Sequence, residues 1–140
     1  MIKKLFILLI ATCPFWAQAQ TNSIELDFEN LETYSGDLYV AIYDKSEDFL
    51  DSKNIFINRI VDVEKQTFPM VFTEVPEGKY CVSVYHDKNE NGKLDFNFIG
   101  MPQENYGFSK NVFHRFWPPS FEECAFYLDS DKNFVINLNR

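Results

Sequence analysis

Side-chain oxygens recur at Asp87, Asn89, Asn91 and Asp95, with Gly92 following the third of them. Counted from Asp87, these are loop positions 1, 3, 5 and 9, with glycine at 6 and Lys93 able to offer a backbone carbonyl at 7. That is the oxygen spacing of a calcium loop. Ca²⁺ takes six to eight oxygens at roughly 2.3–2.6 Å, and alternate residues of a tight loop can point inward together. Position 12 is Phe98, where a bidentate carboxylate would complete the shell; Glu104 is the nearest acid that could replace it. The expected metal set is therefore Asp87, Asn89, Asn91, Lys93, Asp95 and Glu104, with a weak affinity of about 0.1–1 mM. The same residues also favour left-handed backbone and Asx turns, so a metal-free turn is the competing reading.

Two further groups could do chemistry. His86, Glu104 and Ser109 are the polar residues from which an envelope hydrolase would have to be built, although no nucleophile-elbow sequence accompanies them. Tyr106, Phe108 and Trp117 lie in two irregular aromatic stretches, Gly100–Ser109 and Phe113–Pro119. Aromatic faces stack on sugars and peptides, which points to a glycan or an envelope protein as partner. The plainer alternative is that these rings only plug the fold. The chain has two histidines, too few and too far apart for a three-ligand zinc site without cysteine.

These residues must be positioned by strands. Ile24, Leu26 and Phe28 alternate with Glu25, Asp27 and Glu29, the period-two pattern of a half-buried strand. Leu38, Val40 and Ile42 repeat it, and Ile55, Ile57 and Val61–Val63 suggest a third strand. Phe68, Met70 and Phe72 share a face of a fourth, which Pro69 assigns to an edge or to a bulge. After the turn Val75-Pro76-Glu77-Gly78, Tyr80, Val82 and Val84 face one way and Cys81, Ser83 and Tyr85 the other. Phe121–Leu128 and Phe134–Leu138 supply the last two. About seven short strands separated by turns predict an all-β, antiparallel β-sandwich. The stretch from Asp87 to Pro119 lacks this patterning, and long irregular segments carry function or need tethering.

The chain has 140 residues, suited to one domain, and a formal charge of −8, which excludes binding driven by nucleic-acid phosphates. Lys3 and Lys4, the apolar run Leu5–Ala11 and Ala17-Gln18-Ala19 form a signal peptide, residues 1–19. The sandwich is then residues 20–140, exported to the periplasm or cell exterior, with no later apolar run of about 18 residues to span a bilayer. Cys81 and Cys124 remain after cleavage, as a disulfide or as two buried thiols. The expected role is structural or binding rather than catalytic.

Four stretches together carry a resemblance: Val75–Tyr80, His86–Asp95, Gly100–Ser109 and Pro119–Phe126. They resemble the DUF2141 family of uncharacterised exported bacterial proteins. The resemblance implies a single sandwich of prealbumin-like or immunoglobulin-like character and no established activity. The family pattern has small residues where Cys81 and Cys124 stand here, and two small positions becoming cysteine together fits a bridge between neighbouring strands.

Overall fold

The computed structural model describes residues 20–31 and 35–139. The expected signal peptide, residues 1–19, lies outside the described residues.

Eight strands and one short helix follow in chain order. The strands are β1 (Thr21–Glu29), β2 (Asp37–Tyr43), β3 (Ile57–Asp62), β4 (Met70–Pro76), β5 (Gly78–Asp87), β6 (Tyr106–Phe108), β7 (Phe126–Leu128) and β8 (Lys132–Asn137); α1 is Phe121–Cys124. One sheet has the order β4-β1-β8. The other has the order β3-β2-β5-β6, with β7 pairing the start of β5. The all-β sandwich expectation holds.

The inner faces are built by the alternation read from the sequence. Ile24 and Leu26 of β1, Leu38, Val40 and Ile42 of β2, and Val82 and Val84 of β5 meet in one buried cluster with Ile136 of β8. Full burial of such a side chain contributes about 1.5–3 kcal/mol. β4 is an edge strand, as Pro69 allowed, and starts one residue after it.

Three features depart from expectation. β6 is a strand inside the stretch read as irregular; it pairs Ser83↔Phe108 and Tyr85↔Tyr106. Residues 121–128 are not one strand but α1 followed by β7. Ser120 starts α1, and its N–H and hydroxyl both donate to Glu123 Oε2, at 2.8 and 2.7 Å. Finally, β1 and β8 run parallel, with Leu26 opposite Phe134 and Phe28 opposite Ile136, so the sandwich is not wholly antiparallel.

β5 is hidden on both sides. Its outer face, with that of β2, carries a second cluster in which Tyr43 and Cys81 pack against Phe108, Phe121, Cys124 and Ala125. The segment from Lys88 to Ala125 is thus the cover of the five-stranded sheet.

The cover is fastened to the opposite sheet as well. The Tyr106 N–H donates to the Asn139 carbonyl at 2.9 Å, and the Asn139 N–H returns the bond at 2.8 Å. The Asn111 side-chain amide donates to the Val135 carbonyl and its oxygen accepts from the Asn137 N–H. Gly107 permits this approach, since a Cβ there would stand 2.7 Å from Ile136 Cγ2 and 2.8 Å from the Asn137 carbonyl oxygen. Gly107→Ala is expected to destabilise the chain by about 1–3 kcal/mol, because backbone must move to admit one methyl group. A lowered urea midpoint with an unchanged slope checks it.

Candidate functional site

The segment leaving β5 is folded around two buried carboxylates. Asp87, fully buried at the end of the strand, accepts the Asn91 N–H at Oδ1 (3.2 Å) and the Gly92 N–H at Oδ2 (2.7 Å). Gly92 sits at φ +81°, the left-handed conformation its place in the turn requires. Glu104, 4% exposed, accepts the Lys88 N–H at Oε1 (2.9 Å) and the Asp95 N–H at Oε2 (3.1 Å). One carboxylate just before β6 therefore holds both ends of the 88–95 loop. Hydrogen bonds to charged acceptors are the stronger kind, roughly 1.5–3 kcal/mol each.

The predicted ligand oxygens come together here, but on amide hydrogens. Asn89 Oδ1 accepts the Asn91 N–H and Asn91 Oδ1 accepts the Lys93 N–H. The side-chain amides of Asn89 and Asn91 donate to Asp95 Oδ2 at 2.7 and 2.8 Å. These two bonds, Asn89 first, hold the Asp95 carboxyl below its usual range. Asp87, Asn89, Asn91, Asp95 and Glu104 thus form one network, and Lys93 joins it through its N–H. Among the described residues, no three His, Cys, Asp or Glu side chains are grouped as metal ligands.

His86, Glu104 and Ser109 are not brought together. The fully buried His86 ring places Nε2 2.8 Å from the Ser35 carbonyl. Ser109 Oγ donates to the Cys124 carbonyl at 2.8 Å and accepts the Val82 N–H at 3.0 Å. Val82 precedes His86 by four residues along β5, about 13 Å at the strand rise. Both Glu104 oxygens are occupied by loop amides, so the hydrolase constellation gains nothing from the geometry.

Cys81 and Cys124 are free, buried thiols rather than the disulfide expected. Cys124 belongs to α1, not to a neighbouring strand, and its thiol donates to the Ser120 carbonyl at 3.4 Å. Cys81 lies 3.7 Å from Ser109 Oγ. The contact with Cys124, with burial, pushes the Cys81 thiol far up.

Tyr106, Phe108 and Trp117 do converge. They line one cavity of about 340 Å³ between the outer face of β5 and the cover. Its floor is Ser83 and Tyr85 of β5 with Tyr43 of β2. Leu94 and Phe96 of the loop form one wall, and Arg115, Phe116 and Trp117 form the rim. Burial raises the Tyr43, Tyr85 and Tyr106 phenols, so all three remain hydrogen-bond donors at neutral pH. Sequence reasoning missed Tyr43 and Tyr85 and gave Arg115 no role of its own. The strand residues were already visible as the outward half of a period-two pattern, and Arg115 stood in the aromatic stretch.

The rim is anchored through α1. His114 Nε2 lies 2.9 Å from Glu123 Oε1, and the Glu123 carboxylate also caps α1. The Ser120 N–H and hydroxyl, followed by His114, hold the Glu123 carboxyl down at about 2, from an ordinary 4.5. A depressed carboxyl stabilises the fold above its unfolded value and loses that contribution as pH falls toward the folded one. Stability is therefore expected to decline between about pH 4.5 and pH 2. Glu123→Gln is expected to flatten that part of the profile, as followed by urea midpoints across the range.

No match to this chain was found among curated proteins or among solved structures. A family model described as "Uncharacterized protein conserved in bacteria (DUF2141)" matches residues 26–137. That span runs from β1 to the end of β8 and includes the loop, the cover and the cavity, and the chain accordingly belongs to the DUF2141 family.

Proposed function

We propose that this chain is an exported, non-enzymatic binding module whose ligand occupies the cavity beneath the cover. The observation that carries the reading is where the protein leaves carbon in water. Phe96, Phe98, Ile99, Phe113, Phe116 and Trp117 are all exposed, and Trp117 is 76% so. They are concentrated on one segment, beside a concave wall of aromatic rings. Clustered exposed apolar groups mark interaction sites, whereas single ones are ordinary. A cavity of about 340 Å³ is within the range of small-molecule sites. Among the described residues, no helix is long and apolar enough to cross a membrane, so these rings do not belong to a spanning helix there.

The role of the 88–95 loop in this reading is to hold the wall bearing Leu94 and Phe96 at a fixed distance from β5. A calcium ion strengthens that hold. The amide groups of Asn89 and Asn91 have oxygen and nitrogen ends of nearly equal shape. Turned over, both would present oxygen to a cation at Asp95, at the cost of the bonds their oxygens now accept from the Asn91 and Lys93 N–H groups, which keeps the affinity weak. Calorimetric titration of the full chain with CaCl₂ is expected to give a dissociation constant of about 0.1–1 mM. The heat is expected to vanish in Asp95→Ala; equal heats from both proteins remove the ion from the reading.

The cavity is tested optically. Trp16 and Trp117 are the two tryptophans, so Trp16→Phe in the full chain leaves emission from the rim alone. Titration with the neutral dye Nile red is expected to shift Trp117 emission saturably. Phe96→Ala with Phe116→Ala, both exposed, is expected to weaken binding about tenfold while the urea midpoint stays near that of the parent, a loss of about 1.4 kcal/mol. Dye binding that ignores both substitutions overturns the reading.

A further inference from the structure

We propose that the cavity takes a small monocarboxylate with an apolar body, and that Arg115 binds the carboxylate. This rests on the reading of the cavity as a ligand site and adds the chemical class of the ligand.

The lining decides between ligand classes. Most of it is aliphatic and aromatic carbon, and its side-chain polar groups are the hydroxyls of Ser83, Tyr43, Tyr85 and Tyr106, the indole N–H of Trp117 and the guanidinium of Arg115. A sugar buried here would leave several hydroxyls unpaired, at about 1–3 kcal/mol each. A hydrocarbon or aromatic body suits the walls, provided it carries few polar groups.

The charge pattern supplies the rest. Arg115 is the single formally charged residue of the lining. Among the described residues it forms no ion pair, and its guanidinium stands 5.7 Å from the centre of the Phe116 ring. Acids close in sequence are engaged elsewhere: Glu123 holds His114, and Glu122 pairs with Lys79. Asp87 and Glu104 act on the Tyr85 hydroxyl from the loop side, but their oxygens are filled by backbone N–H groups. Among the described residues several cations form no ion pair; what sets Arg115 apart is its place at the mouth of an apolar cavity. Its planar fork matches a carboxylate in two parallel hydrogen bonds, made at the exposed rim while a carbon tail lies against the apolar wall. An anion with a carbon tail completes both the apolar wall and the unpaired charge, which neither a neutral lipid-like molecule nor a sugar does.

Decanoate and decan-1-ol separate the terms, since they share a tail and differ in the head. Both are titrated at neutral pH and below their aggregation limits into the full chain carrying Trp16→Phe, with Trp117 emission and Nile red displacement as readouts. Decanoate is expected to bind about tenfold more tightly than decan-1-ol. Arg115→Gln is expected to abolish that preference, so that both probes bind alike, and Arg115→Lys to restore part of it. Equal affinities in the parent, or a preference that survives Arg115→Gln, overturn the carboxylate assignment and leave the cavity reading standing. Failure of Nile red and both ten-carbon probes to bind overturns the cavity reading itself. Displacement of the dye by a neutral disaccharide, such as cellobiose, at lower concentration than by decanoate overturns the ligand class.

Discussion

A strand that hides both faces needs a layer of apolar side chains on each side of its sheet, and β5 is such a strand. Val82 and Val84 enter the space between the two sheets, while Cys81 and Tyr85 point away from it. The second sheet satisfies the first face. Nothing in a two-layer sandwich satisfies the second, so the connection between β5 and β7 has to supply that layer itself. Aromatic residues suit the task because each covers a large area for few residues. The cost of ordering so long a connection is met by ties at three places: the Glu104 carboxylate at the loop, the Tyr106–Asn139 bridge at the opposite sheet, and the capped α1. The cavity is where this third layer stands off from the sheet instead of packing against it.

The parts visible in the sequence were those governed by local periodicity. β1, β2 and β5 have strict alternation, and their inward residues form the core as read. β6 has three residues, too few for any period to register, and it exists because Gly107 lets it lie against β8. α1 left a readable trace in Ser120-Phe121-Glu122-Glu123, a serine followed three residues later by glutamate, although the hydrophobic flanks read more strongly as strand. The parallel pairing of β1 with β8 left none, because alternation is the same in either direction.

At the site, neighbours in sequence were legible and neighbours in space were not. The polar loop was identified as a unit, and Glu104, read as a metal ligand from nine residues beyond Asp95, reaches that loop as an acceptor of the Lys88 and Asp95 N–H groups. What its oxygens face depends on backbone amides, which every residue but proline carries and no side-chain pattern reveals. The aromatic residues were found singly. That they share a space with Tyr43 and Ser83 follows from strand register, which sets Ala41 opposite Ser83 and Tyr43 opposite Cys81. The cysteines were anticipated as neighbours and their thiols do meet, unbridged, with that of Cys124 also donating to the carbonyl of Ser120.

The adjacency of β1 and β8 also bears on the order in which the molecule can assemble. β1 is the middle strand of its sheet, and one of its two neighbours, β8, is synthesised after every other described strand. Contacts this distant in sequence form slowly, because all the intervening strands must be closed into a loop before they can. A polypeptide emerging gradually, from a ribosome or through a narrow pore, therefore keeps one edge of β1 unzipped until β8 arrives.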